Sequence, residues 1–256
     1  MRLMTSIAAA FATLAMISSP LKAAETHTDP LGSVQWSGME RLFLSGQKYT
    51  FDSRVKVQAP ETAEDPLNVP ITVDASALSD VEEVLVFADF NPISEILRFH
   101  PYATSSFISF RAKLQQTTPV RAAVRTADGV WHVGGTLVQT IGGGCTAPSF
   151  GSASPEWQQR LNQVSARVWT EGPMSGRVRL RIIHPMDTGL VAGIPPFYLE
   201  TLTFRNEAGQ AVARLEIFQP VSENPVFTLN RGRTEGVLLA EGRDNNGNTL
   251  NARIAP

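Results

Sequence analysis

The sequence predicts an all-β protein built as two similar β-sandwiches joined by a glycine-rich, cysteine-bearing linker. Three observations support this. Short apolar runs, many alternating with polar residues, recur between Gly, Pro, Asn and Asp punctuation along most of the 256 residues. Residues Gly142–Pro155 (GGGCTAPSFGSASP) break that pattern with a composition that cannot bury a core. The blocks on either side echo each other, with Asn91-Pro92 in the first and Asn224-Pro225 in the second. A single larger sandwich is the alternative, but the composition shift is abrupt enough to favour two domains. The expected boundaries are 1–24 (a targeting segment), 25–141, 142–155 (the linker) and 156–256.

Within the first block, Leu31 to Leu44 reads as a short helix, with Asp29 as cap and Pro30 in the first turn. Strands are expected over Thr50–Pro60, Val69–Val73, Val81–Phe87, Phe107–Leu114 and Val120–Arg125. Asp128-Gly129 forms a hairpin turn into Val130–Val133, and Thr136–Ile141 is the last strand of the block. After the linker, Ser154, Pro155 and Glu156 look like a helix start, and Trp157, Leu161, Val164 and Val168 recur at helical spacing. Strands follow at Gly176–Ile183, Tyr198–Phe204, Ala211–Phe218, Val226–Leu229, Val237–Glu241 and Thr249–Ile254, with Gly209 and Gly247 at turns.

Composition excludes several function classes. Lys+Arg number 22 against 24 Asp+Glu, so no basic excess exists to hold nucleic acid, and no cationic helix face suggests a membrane surface. Ile7 to Ile17 is an apolar run after Arg2, too short to span a bilayer and followed by a plausible cleavage site at Leu21–Ala24. It reads as a secretory signal peptide and predicts a periplasmic protein. Removing Arg2 and Lys22 takes the net charge from -2 to about -4, still mild.

The chain has one cysteine, Cys145. Exported proteins meet an oxidising compartment where cysteines pair, and one cysteine cannot pair within its own chain. It is inert and buried, used between chains, or functional. Gly142, Gly143 and Gly144 precede it, and no Lys, Arg or His lies between Gly134 and Gln159. Three glycines loosen and thin the backbone, and four residues reach at most ~14 Å. A catalytic nucleophile needs a rigid seat and an adjacent base, and the neighbouring sequence supplies neither. The expectation is therefore a thiol on a mobile tether, presented to the active sites of other proteins. An incidental cysteine in a connector is the bland alternative.

The other constellations carry less. His27, His100, His132 and His184 show no metal-ligand spacing, so no metal or cofactor is expected. His184, with Asp187 in His-Pro-Met-Asp-Thr-Gly, is a possible auxiliary to the thiol or a shaper of the domain contact. The four tryptophans read as core or interface anchors. Arg177, Arg179 and Arg181 alternate along one strand, either as a solvated face or as a docking patch for an acidic partner.

Several of these segments carry a family resemblance. Val69-Pro70-Ile71, Val86–Pro92 (VFADFNP), Val120-Arg121-Ala122 and Thr140–Cys145 (TIGGGC) resemble SoxY, the substrate-carrying subunit of bacterial sulfur oxidation. His184–Gly189 (HPMDTG), Ile194-Pro195 and Val221–Phe227 (VSENPVF) resemble SoxZ, its partner subunit. The chain is similar to fused SoxYZ-like carriers associated with quinoprotein dehydrogenases. The resemblance implies immunoglobulin-like sandwiches that pair with each other. It also implies a cysteine on a glycine arm that bears sulfur intermediates, such as S-thiosulfonate, as S–S adducts. Cys145 would be the attachment point, and Gly142, Gly143 and Gly144 the arm. Loading and processing would fall to sulfur-oxidation enzymes or a periplasmic quinoprotein dehydrogenase system, and the chain would itself be no enzyme. SoxY typically ends in Gly-Gly-Cys-Gly-Gly, whereas here Thr146-Ala147-Pro148 follows and the arm is tethered at both ends. Two further readings are an accessory module acting by contact alone and a hydrolase or transferase using Cys145 with His132 or His184 as base.

Overall fold

A computed structural model describes residues 28–150, 157–172, 175–231 and 236–255. The signal-peptide expectation and the helix start at Ser154–Glu156 lie outside these residues.

The first block opens with helix α1 (Trp36–Phe43), followed by β1 (Tyr49–Phe51), β2 (Lys56–Gln58), β3 (Thr62–Ala63), β4 (Val69–Asp74) and β5 (Val81–Ala88). It continues through β6 (Glu95–His100), β7 (Phe107–Ala112), β8 (Thr118–Thr126) and β9 (Trp131–Thr140). A 3-10 turn (Gly144–Thr146) and one turn of helix, α2 (Trp157–Arg160), bridge to the second block. That block holds β10 (Val164–Gly172), β11 (Ser175–Ile182), β12 (Leu199–Arg205), β13 (Ala211–Ile217), β14 (Val226–Asn230), β15 (Leu238–Asp244) and β16 (Thr249–Ile254).

Each block forms a sandwich, and the two sandwiches join edge to edge through both layers. One sheet runs β1-β9-β8-β5-β6-β13-β12-β15-β16 with β3 beside β9; the other runs β10-β11-β14-β7-β4-β2. The seam is antiparallel pairing of β6 with β13, Leu97 to Arg98 opposite Ile217 to Glu216, and of β7 with β14, Ser109 opposite Thr228. Pairing covers edge strands whose free N–H and C=O groups would otherwise invite association. The apolar interior is continuous across the seam, since Val86, Phe99 and Phe110 belong to the same cluster as Leu180, Leu202, Phe204 and Phe227. The two domains thus remain distinct in sequence but share one core.

Three local expectations are corrected. Residues 164–172 form a strand rather than a helix, because Val164 and Val168, four apart, satisfy both periods and the free edge of β11 takes the segment. Strand β6 had been passed over. Its charged residues look like loop, yet Arg98 pairs with Glu83 and Glu95 while Ile96, Leu97 and Phe99 are buried. Helix α1 starts later than expected, at Trp36; Asp29 caps the turn before it, accepting from Leu31 and Ser33 N–H at 3.1 and 2.7 Å, and also pairs with Arg121. Arg121 is buried between Asp29 and Asp89, at 2.7 and 2.9 Å, under the ring of Trp36. Helix α1 itself places Trp36 and Met39 over Leu85 and Phe87 on the outer face of the larger sheet.

Candidate functional site

The segment after β9 is packed rather than loose. Gly142 and Gly143 adopt φ of +87° and +89°, a region that side chains rarely enter. A Cβ on Gly142 would lie 2.5 Å from the Gln115 carbonyl oxygen, and one on Gly144 would lie 2.2 Å from Pro66 O and 2.7 Å from Leu114 O. The glycines let the chain reverse and lie against the ledge that follows β7. The N–H groups of Gly143 and Gly144 donate to the carbonyls of Gln115 and Leu114 at 2.9 and 3.1 Å, and Cys145 N–H donates to Gln115 Oε1 at 3.2 Å.

The 3-10 turn points the Cys145 side chain inward, and the thiol is fully buried. This corrects the expectation of a solvent-facing, mobile tether. The physical reason is that these glycines serve close backbone approach and positive φ, not slackness. Only the inner side of the segment is covered: Ile141, Thr146, Pro148 and Phe150 are exposed, whereas Gly144, Cys145 and Ser149 are buried. The thiol therefore lies on the covered side of a segment whose other side faces solvent.

Both domains hold this segment. From the second domain, Thr188 Oγ1 donates to the Cys145 carbonyl at 2.7 Å, Asp187 Oδ1 accepts from Ser149 N–H at 3.2 Å, and Glu223 Oε2 accepts from Phe150 N–H at 2.7 Å. From the first, Asn91 fixes the ledge by donating to Lys113 O and accepting from Gln115 N–H, each at 2.9 Å. The Asn-Pro echo has its explanation here. Asn224, at φ +49°, brackets the backbone of His184 as Asn91 brackets Lys113 and Gln115.

The thiol has one hydrogen bond among the described residues, to the Lys113 carbonyl at 3.6 Å. Burial pushes its pKa up to about 12, against the opposing pull of the Lys113 charge. Lys113 is itself buried and donates from Nζ to Met186 O across the seam. Burial pulls its pKa down, while Asp187, Cys145 and Glu223 favour its charged form. The docked sulfur is thus a protonated, weakly nucleophilic thiol beside a partly compensated cation.

The two auxiliary residues part company. Asp187 holds the segment through Ser149, as part of the domain contact. His184 packs tilted against Phe197, ring centroids 4.5 Å apart, and faces Asp244 at 3.6 Å, with Nδ1 accepting from Met186 N–H. Burial keeps it neutral by lowering its pKa, and it makes no hydrogen bond to the thiol. Sequence reasoning missed Lys113 and Gln115, which carry no motif of their own, and Thr188, which lies within the His184–Gly189 segment without being singled out there. The signal for Lys113 and Gln115 was position, just past the end of β7. No group of three or more His, Cys, Asp or Glu among the described residues is placed to hold a metal, and no described helix is long and apolar enough to cross a membrane.

Comparison with known proteins follows this division. Residues 39–145 match the family model of the sulfur oxidation protein SoxY, a match that ends on Cys145, and residues 172–255 match that of the sulphur oxidation protein SoxZ. No curated protein matched the chain. Among solved structures, the sulfur carrier protein SoxY from Chlorobium limicola f thiosulfatophilum aligns at 18% identity and a TM-score of 0.37, covering 42% of this chain and 96% of that one. The chain therefore belongs with the SoxY and SoxZ sulfur-oxidation families, as a single polypeptide in which a SoxY domain is followed by a SoxZ domain.

Proposed function

We propose that this chain is an exported, periplasmic carrier that bears sulfur intermediates covalently on Cys145 and presents them to partner enzymes. The observation that carries this reading is the placement of the sole cysteine. It ends the SoxY-type match, follows three glycines, and lies where residues of both domains hold a segment with one solvent-exposed side. The stowed thiol is the resting form. Loading requires the arm to lift, because the docked sulfur is fully buried and holds its proton. Once lifted, the thiol regains an ordinary pKa and reactivity. Joining thiosulfate to it, Cys–SH + S2O3(2−) → Cys–S–S–SO3(−) + H+ + 2 e−, needs an electron acceptor. A sulfur-oxidation enzyme or a quinoprotein dehydrogenase system would hold that acceptor. The added group is larger and anionic, and so disfavours return to the same seat.

Burial of Cys145 gives weight to a second reading, an accessory module that acts by contact alone. Complementation separates the two. In a host lacking this gene, oxidation of a reduced sulfur compound should be restored by the wild-type chain and not by Cys145→Ser. Full restoration by Cys145→Ser, at equal protein level, would establish the accessory reading. The burial argues against the hydrolase reading, since among the described residues no histidine is hydrogen-bonded to the thiol.

A further inference from the structure

The two sheets treat their charges differently. On the larger sheet the outward arginines have carboxylate partners: Arg98 with Glu83 and Glu95, Arg125 with Glu82, Arg205 with Glu241, Arg214 with Glu216. On the smaller sheet, strand alternation turns Arg111 of β7, Arg167 of β10 and Arg177, Arg179 and Arg181 of β11 to the outside. None of these five makes an ion pair with a described residue. Asp74 of β4 is a carboxylate of this sheet, but it stands across from Lys56 at the far edge. Arg167 and Arg179 stand directly opposite one another, a like-charge register that weakens strand pairing.

The face crosses the seam and carries aromatic groups. Arg167 lies over Trp169 at 5.2 Å and Arg177 over Phe107 at 5.7 Å. Two shallow depressions of about 420 and 350 Å³ sit between the arginines, the first lined by Trp169, Phe107 and Thr228 and the second by Arg111 and Arg181. The cations spread over four residues along β11, about 13 Å, and over three strand spacings from β10 to β7, about 14 Å. That footprint exceeds any single small anion and suits a protein surface, where Arg and Trp are favoured at contacts. It also ends beside the arm, since Arg111 is two residues from Lys113, whose carbonyl receives the Cys145 thiol.

We propose that the outer face of the smaller sheet is a docking surface for a partner protein whose contact face is rich in Asp and Glu. This deepens the carrier reading, which supplies the reason for docking. Carboxylates that the chain withholds from these arginines come from the partner, which is thereby oriented over the thiol. Mild overall negative charge makes the segregation informative, because the cations are not part of a general basic surface.

The test uses a fluorescent deca-glutamate peptide and the full mature chain at low salt. Saturable binding that weakens with salt is expected. Arg177→Gln/Arg179→Gln/Arg181→Gln should weaken it roughly tenfold, while Arg205→Gln/Arg214→Gln/Arg243→Gln on the other sheet should change it less than about twofold. Amide shifts in the labelled chain should map to β10, β11, β14 and β7. Cys145→Ser should bind as wild type, so failure of the carrier reading leaves this result untouched. Absence of binding, equal loss in both triple variants, or shifts mapping elsewhere would overturn the proposal. So would displacement by equimolar sulfate, binding to phosphatidylglycerol vesicles in place of the peptide, or a dimer dissolved by the first triple variant.

Discussion

Thr188→Val removes one bond that holds the arm shut. Thr188 Oγ1 is buried and donates to the Cys145 carbonyl at 2.7 Å. Valine fills nearly the same volume without the donor. In the docked arm the carbonyl is left unpaired; in a lifted arm water satisfies it. Docking is therefore weakened by about 1–2 kcal/mol, and with about 1.4 kcal/mol per tenfold the lifted fraction rises roughly 5- to 30-fold. Iodoacetamide reacts with the lifted thiol, so its rate at pH 8, followed by intact mass, should rise by the same factor. Thr188→Ser keeps the donor and should stay within about threefold of wild type. An unchanged rate in Thr188→Val, or an equal rise in Thr188→Ser, would refute the gating argument.

Three further outcomes follow from the same geometry. The docked thiol holds its proton up to about pH 12 against a usual value of 9.0, so docking is at full strength below pH 9 and fades between 9 and 12. At about 1.36 kcal/mol per unit, that difference is about 4 kcal/mol of preference for the protonated, docked state. Native alkylation should therefore keep climbing past pH 9, whereas in urea it levels near 9; a native plateau at 9 would contradict the burial. Gly144→Ala sets a Cβ 2.2 and 2.7 Å from two backbone oxygens that cannot rotate away, and should speed alkylation more than Gly143→Ala, which carries the strain of φ +89° but meets no atom within 4 Å; the reverse order would count against the docked geometry. Arg121→Met leaves Asp29 and Asp89 buried without their cation. The cost of about 3–5 kcal/mol lowers the thermal midpoint by about 10 °C, read by circular dichroism, and a shift under about 2 °C would disprove the role.

Much of the fold was legible because apolar alternation survives in each domain. Strands β4, β5, β7, β8, β11, β12, β13 and β16 stand near their expected places, and Asp128-Gly129 makes its hairpin turn. The seam was not legible. Pairing of β6 with β13 and of β7 with β14 joins residues more than a hundred positions apart, and no local period reports such a contact. The cysteine was legible as a singular residue, but its burial was not. Glycine reads alike whether it grants freedom or permits a close approach, and only the Pro66 and Leu114 carbonyls decide between them. Lys113 was hidden because a lysine at a strand end normally faces solvent; here the second domain supplies Met186 O and covers it.

The most direct trial of the account is the intact mass of this protein taken from its native host during oxidation of a reduced sulfur compound. Reductant-labile additions of sulfur or thiosulfonate, confined to the Cys145 peptide and absent from Cys145→Ser, are the predicted result. An unmodified Cys145 throughout turnover, in a host whose oxidation still depends on the protein, would contradict the carrier role.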